Sequence, residues 1–219
     1  MDLERLRPIG LAILLTATAA VPAAAQVSFS PTVGAYLPTS NIADVVLGND
    51  SIVNFRQDVG LALGANLGVG LSSRVGLMLA GSYVPSQLSG TIDGAGAWTQ
   101  SDANLFFGNA NITVYLIKPT SPVWISLSGG GSVVSRSGQA YDGWTGTTDF
   151  GGLAGATVGF NLGLLSLNVS ATDYIYGAQF SNGDVSTGEA SQNDILLGVG
   201  LGIPLGGRKT PPPTSTASR

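Results

Sequence analysis

Between Val59 and Leu71 every second residue is apolar. Val59, Leu61, Leu63, Ala65, Leu67, Val69 and Leu71 alternate with Gly60, Ala62, Gly64, Asn66, Gly68 and Gly70. On a pleated strand the two sets point to opposite faces. A helix would scatter them around its circumference, and the four glycines would weaken it further. The segment is predicted as strand.

Seven more segments carry the same period. They run over about Val27–Leu37, Val75–Val84, Asn104–Ile117, Val123–Val134, Asp149–Asn161, Leu164–Tyr176 and Asp194–Leu205. Phe106, Ala110, Ile112, Val114 and Leu116 alternate with Asn109, Asn111, Thr113 and Tyr115, and Leu165, Leu167, Val169 and Ala171 with Ser166, Asn168, Ser170 and Thr172. Each covers the roughly 9–11 residues that a tilted strand needs to cross a bilayer.

The chain is apolar without being helical. Only 10% of residues are charged, against about 25% in a typical soluble domain. After Ala25, however, no stretch approaches the ~18 apolar residues of a membrane helix. The spanning structure that remains is a closed barrel, in which every backbone group is paired. Before that point, Arg5 and Arg7 precede the apolar run Ile9–Val21 and the small residues Ala23-Ala24-Ala25. This pattern predicts a secretory signal over residues 1–25, cleaved after Ala25, in preference to a retained anchor. Residues 26–205 form the barrel domain in this reading. Residues 206–219, with Thr210-Pro-Pro-Pro-Thr-Ser-Thr, form a disordered or extended tail.

Connection lengths and charge agree with a membrane barrel. Ser72–Arg74, Lys118–Pro122 and Asn161–Gly163 are short; Pro38–Asp58, Pro85–Ala103, Ser135–Thr148 and Gly177–Asn193 are long and polar. The expected fold is all-β: a closed, eight-stranded, antiparallel up-and-down transmembrane barrel with short periplasmic turns and long extracellular loops. Eleven acidic residues fall in or beside the long loops, against Arg56 and Arg136; Arg74, Lys118, Arg208, Lys209 and Arg219 belong to the opposite rim and tail. Strand middles are expected to be free of charge, since an unpaired charge in lipid is costly. The alternating polar set is too small and too uncharged for the outside of a soluble barrel. It is assigned to the lumen, at Asn66, Asn109, Asn111, Thr113, Ser126, Ser128, Thr157, Asn168 and Ser170. A soluble β-sandwich is the alternative that alternation alone leaves open.

These features resemble the small outer-membrane β-barrel superfamily, which includes the outer membrane protein A-like and W-like barrel domains. The resemblance spans about Val27–Leu205. It rests on Ala23-Ala24-Ala25, the opening Phe29-Ser-Pro-Thr-Val-Gly-Ala-Tyr36, the alternating strands and the last strand Gly200-Leu-Gly-Ile203-Pro-Leu205. That ending is similar to the family's assembly signal, which implies contact with the barrel assembly machinery during insertion. Two features depart from the family pattern: Leu205 is followed by Gly206–Arg219 rather than ending the chain on an aromatic residue, and Pro204 lacks a ladder donor.

Some barrels of this superfamily are enzymes, and their mechanisms use a histidine. This chain has no histidine and no cysteine, which removes the commonest general base, a thiolate nucleophile and Zn–S ligation. Lys118 and Lys209 belong to a turn and the tail, away from the acidic loops. No catalysis, cofactor or nucleic-acid partner is expected. Gly129-Gly130-Gly131 and Gly198–Gly202 are read as strand glycines, because no helix follows them to make a phosphate cradle.

Partners are expected to be outer-membrane lipids and lipopolysaccharide, with divalent cations bridging the acidic loops to anionic headgroups, and the protein is expected to be a monomer. Tyr83, Phe106, Phe150, Tyr174 and Tyr176 are read as interfacial anchors near strand ends, Trp98 and Trp144 as loop packing. Two roles remain: a structural or interaction barrel, and a narrow channel or conduit for small or apolar solutes.

Overall fold

The computed structural model describes residues 26–41, 43–46, 52–92, 96–182, 185–186 and 190–205. The signal segment and the tail lie outside the described residues. Eight long strands are β1 (Val27–Pro38), β4 (Gly60–Gly70), β5 (Val75–Val84), β8 (Asn104–Ile117), β9 (Val123–Ser137), β10 (Thr148–Asn161), β11 (Ser166–Ala178) and β14 (Ala190–Pro204). They close into one barrel in the order β1-β14-β11-β10-β9-β8-β5-β4. Every neighbouring pair is antiparallel, and β1 closes the ring by pairing with both β4 and β14. Closure matters because it leaves no unpaired strand edge.

Side-chain parity sorts the wall as the period-two pattern requires. Leu61, Leu63, Leu77, Leu79, Ile112, Val114, Leu127, Val169, Leu197 and Val199 all point outward, each 42–54% exposed. A soluble protein does not wrap its whole circumference in exposed aliphatic side chains. The opposite parity points into the lumen.

At one rim the connections are tight. Leu71–Arg74 is closed by the Val75 N–H donating to Ser72 Oγ at 3.0 Å. Gly163, at φ +86°, supplies the left-handed residue of the next hairpin. Asn161 Nδ2 donates to the Pro119 carbonyl at 2.8 Å, tying two adjacent turns together.

At the other rim the wall continues. Two of the segments expected as polar loops instead contain β2 (Ala43–Val46), β3 (Ile52–Gln57), β6 (Gln87–Ile92) and β7 (Gly96–Asp102). They pair in the order β2-β3-β6-β7, matching the barrel order β1-β4-β5-β8 strand for strand. Asp58 marks one break between the tiers. Its N–H donates to the Gln87 carbonyl at 2.8 Å, and Ser89 Oγ donates to its carboxylate at 2.9 Å. These runs of four to seven residues fall short of the roughly 9–11 that a bilayer-crossing strand needs, so the spanning pattern does not include them. A smaller hairpin joins β12 (Ser181–Asn182) to β13 (Val185–Ser186).

Charge is placed differently from expectation. Strands β9 and β14 extend three and four residues further into the long connections than their apolar alternation does. Arg136, expected in a long connection, therefore lies within β9, and Asp194, expected at the first position of its strand, lies four residues inside β14. Inside the barrel Arg136 pairs with Asp149, and Asp194 accepts from the hydroxyls of Tyr36 and Tyr176, so the inward face there needs no apolar pattern.

Candidate functional site

The lumen is divided into two unlike halves. Towards the long connections it is filled. Phe107 lies between two tyrosine rings, its centroid 5.6 Å from Tyr36 and 4.8 Å from Tyr174. Tyr36 OH donates to Asp194 Oδ1 at 2.9 Å, and Tyr176 OH donates to the other carboxylate oxygen. Arg136, with its side chain 1% exposed, pairs with Asp149 and lies 5.2 Å and 5.1 Å from the ring centroids of Tyr176 and Phe180. Leu105, Val84, Val134 and Ala103 complete a packed layer with essentially no solvent exposure.

A lid covers this plug. Tyr141, in the short 3-10 turn Gln139–Tyr141, stacks on Phe180 with centroids 5.8 Å apart. Tyr141 OH donates to Gln57 Oε1 at 3.0 Å, and Gln57 Nε2 donates to the Ala103 carbonyl. Burial pushes the Tyr141 phenol up to about 12, against the opposing pull of nearby Arg136. Trp144 packs against the same cluster.

Towards the short turns the lumen is open space. A cavity of about 1070 Å³ runs from Ser72, Ser73, Pro119, Thr120 and Gly163 at that rim to Tyr174 and Leu196 beneath the plug. No acidic or basic side chain lines it. Its wall includes Asn66, Asn109, Asn111, Thr113, Ser126, Ser128, Thr157, Asn168 and Ser170, all nine of the positions assigned to the lumen. Three of them form a ladder along β8. Thr113 Oγ1 donates to Asn111 Oδ1 at 3.3 Å, Asn111 Nδ2 to Asn109 Oδ1 at 2.8 Å, and Asn109 Nδ2 to Tyr174 OH at 2.7 Å.

The inward glycines let neighbouring polar side chains fit inside the ring. A Cβ on Gly64 would sit 2.5 Å from Ser82 Oγ, and one on Gly202 would sit 2.2 Å from Ser166 Oγ. Each glycine gives its room to the hydroxyl of its cross-strand neighbour. Among the described residues no group of three or more acidic, histidine or cysteine side chains gathers at any point.

Two aromatic assignments change. Tyr83, Phe106 and Phe150 are 45%, 48% and 81% exposed and face outward, as anchors do, whereas Tyr174 and Tyr176 are buried inside the barrel. Lumen residues absent from the sequence-based set are Trp124, Phe107, Arg136 and Asp194. Parity would have found them: Trp124 shares the face of Ser126 and Ser128, and Phe107 that of Asn109 and Asn111. The indole of Trp124 occupies the place of a Gly159 side chain and meets Tyr115 edge to face at 5.5 Å.

The closed eight-strand ring, its outward apolar band and its unequal rims match known membrane barrels. The fold is that of the small outer-membrane β-barrels. Outer membrane protein OprG from Pseudomonas aeruginosa superposes with a TM-score of 0.64, at 10% identity, covering 84% of this chain and 97% of OprG. Outer membrane protein AlkL, solved in DMPC lipid bilayers, gives 0.58 at 12% identity over 85% of this chain and 92% of AlkL. Neisserial surface protein A gives 0.52 at 12% identity over 82% and 97%. No family model and no curated protein sequence matches the chain. At these identities the likeness concerns the barrel fold alone.

Proposed function

We propose that this chain is exported through a signal cleaved after Ala25 and inserted, through the barrel assembly machinery, into an outer membrane. There it acts as a non-catalytic structural and interaction barrel. The observation that carries this reading is the packing of the lumen at the long-connection end, where, among the described residues, the Tyr36–Phe107–Tyr174 stack, the Asp194 and Arg136 networks and the Tyr141 lid fill the interior. The competing conduit reading draws on the 1070 Å³ cavity, but a cavity closed at one end does not conduct. The absence of histidine and cysteine from the sequence supports a non-enzymatic role. The tier β2-β3-β6-β7, whose sequence carries Asp44 and Asp102 with Asp58 at its base, is the surface that meets lipopolysaccharide and other cells, with divalent cations bridging the acidic groups to anionic headgroups.

The purified protein in planar bilayers is expected to show no steady single-channel conductance. Reproducible openings in the unmodified protein would transfer the role to a channel.

A further inference from the structure

The closed lower lumen has the chemistry of a ligand site, and we infer that it binds a neutral, polyhydroxylated small molecule of the sugar class, entering from the short-turn rim. This deepens the sealed-barrel reading and rests on it only for the direction of access.

Charge selects first. With no Asp, Glu, Lys or Arg on its wall, the cavity offers a charged ligand nothing to offset its desolvation. Amides and hydroxyls share the wall with apolar groups instead, and each amide both donates and accepts. A sugar hydroxyl needs both capacities at once. The β8 ladder is directional, running from Thr113 through Asn111 and Asn109 to Tyr174. Each of its amides spends one N–H on the ladder and keeps a second.

An orphan atom adds a second observation. Three strands round the wall on β11, Asn168 Oδ1 is buried with no hydrogen-bond partner among the described residues. Asn168 lines the same cavity. A buried amide oxygen without a donor is costly; this one is shielded from the cavity, and turning the Asn168 side chain towards the lumen would let a ligand hydroxyl supply the donor.

Size and shape agree. A volume of about 1070 Å³ lies at the upper end of small-ligand pockets, roughly 300–1,000 Å³. Near the mouth the Trp124–Tyr115 pair gives the wall an apolar aromatic patch, suited to the C–H face of a pyranose ring.

The test uses the barrel in DMPC nanodiscs with Trp98→Phe and Trp144→Phe, leaving Trp124 as the fluorescent reporter. Titration with maltotriose is expected to give a saturable change in its emission. Maltotrionic acid, the same chain bearing a carboxylate, is expected to bind at least about tenfold more weakly. Asn111→Leu and Asn168→Leu are each expected to weaken maltotriose roughly tenfold, with folding checked by the heat-dependent gel shift. No saturable response up to the solubility limit of maltotriose would overturn the site, as would equal binding of the neutral and charged sugars by the unmodified lumen. Binding is read by fluorescence and sealing by conductance, so the failure of one is seen apart from the failure of the other.

Discussion

The two halves of the lumen are built from the same strands and differ in almost everything else. On β8, Leu105 and Phe107 belong to the sealed half, while Asn109, Asn111 and Thr113 line open space. On β11, Asn168, Ser170 and Thr172 give way to Tyr174 and Tyr176. In each strand the switch falls at one point along the inward parity, and the points align round the barrel because the register is fixed. The upper half is therefore a protein core with charged networks inside a ring of hydrogen bonds, and the lower half is a polar pocket. Stability and sealing belong to the first, capacity for a ligand to the second.

Substitutions that treat the halves alike should expose this difference most sharply. Phe107→Ala removes the ring between Tyr36 and Tyr174 and is expected to cost about 3–5 kcal/mol in urea unfolding from lipid vesicles. Asn111→Ala, four residues further along the same face, is expected to cost only about 1 kcal/mol. Equal losses would mean that the plug is no core.

The charged network gives an effect of similar size with a distinctive rescue. Asp149→Leu leaves Arg136 buried without its counter-charge and is expected to cost about 3–5 kcal/mol. Adding Arg136→Met should recover most of that loss in the same unfolding assay. A double variant as weak as the single one would show that packing, not charge, holds the plug.

The outward face should respond on a third scale. Val199 lies mid-strand on β14, opposite Val33 and Val169. Val199→Arg is expected to destabilise the barrel by about 2–4 kcal/mol in bilayers. A negligible effect there would remove lipid from that face.

The smallest expected effect concerns the lid. Because the buried Tyr141 phenol is raised to about 12 from an ordinary value of 10.0, the folded state favours its neutral form. Its contribution is complete below about pH 10 and is lost as pH rises towards 12. Tyrosinate absorbance at 295 nm should show late-titrating phenols whose amplitude falls by one tyrosine in Tyr141→Phe.

Much of this arrangement was legible before any coordinates. Alternation at Val59–Leu71 and Asn104–Ile117 located β4 and β8 to within a residue or so, and the polar parity picked out the wall of the lower cavity. It also misled where apolar alternation stopped before the strand did. Tyr174 and Tyr176 looked like anchors because they approach a strand end, and Arg136 looked like a loop residue because the apolar alternation of its strand stops at Val134. Their faces follow from parity, but their partners do not.

What the sequence determined by itself was the two-faced strand, repeated eight times between unequal connections, since a period of two is a property of the backbone and needs no neighbour. What only the tertiary structure decided was the division of the lumen. Tyr36, Tyr176 and Asp194 come from three strands that closure brings together, with 158 residues of chain between Tyr36 and the carboxylate it donates to. Whether an inward aromatic seals or lines a cavity depends on the residues across the ring at its height. Strand tilt and register set that height, and no local pattern records it.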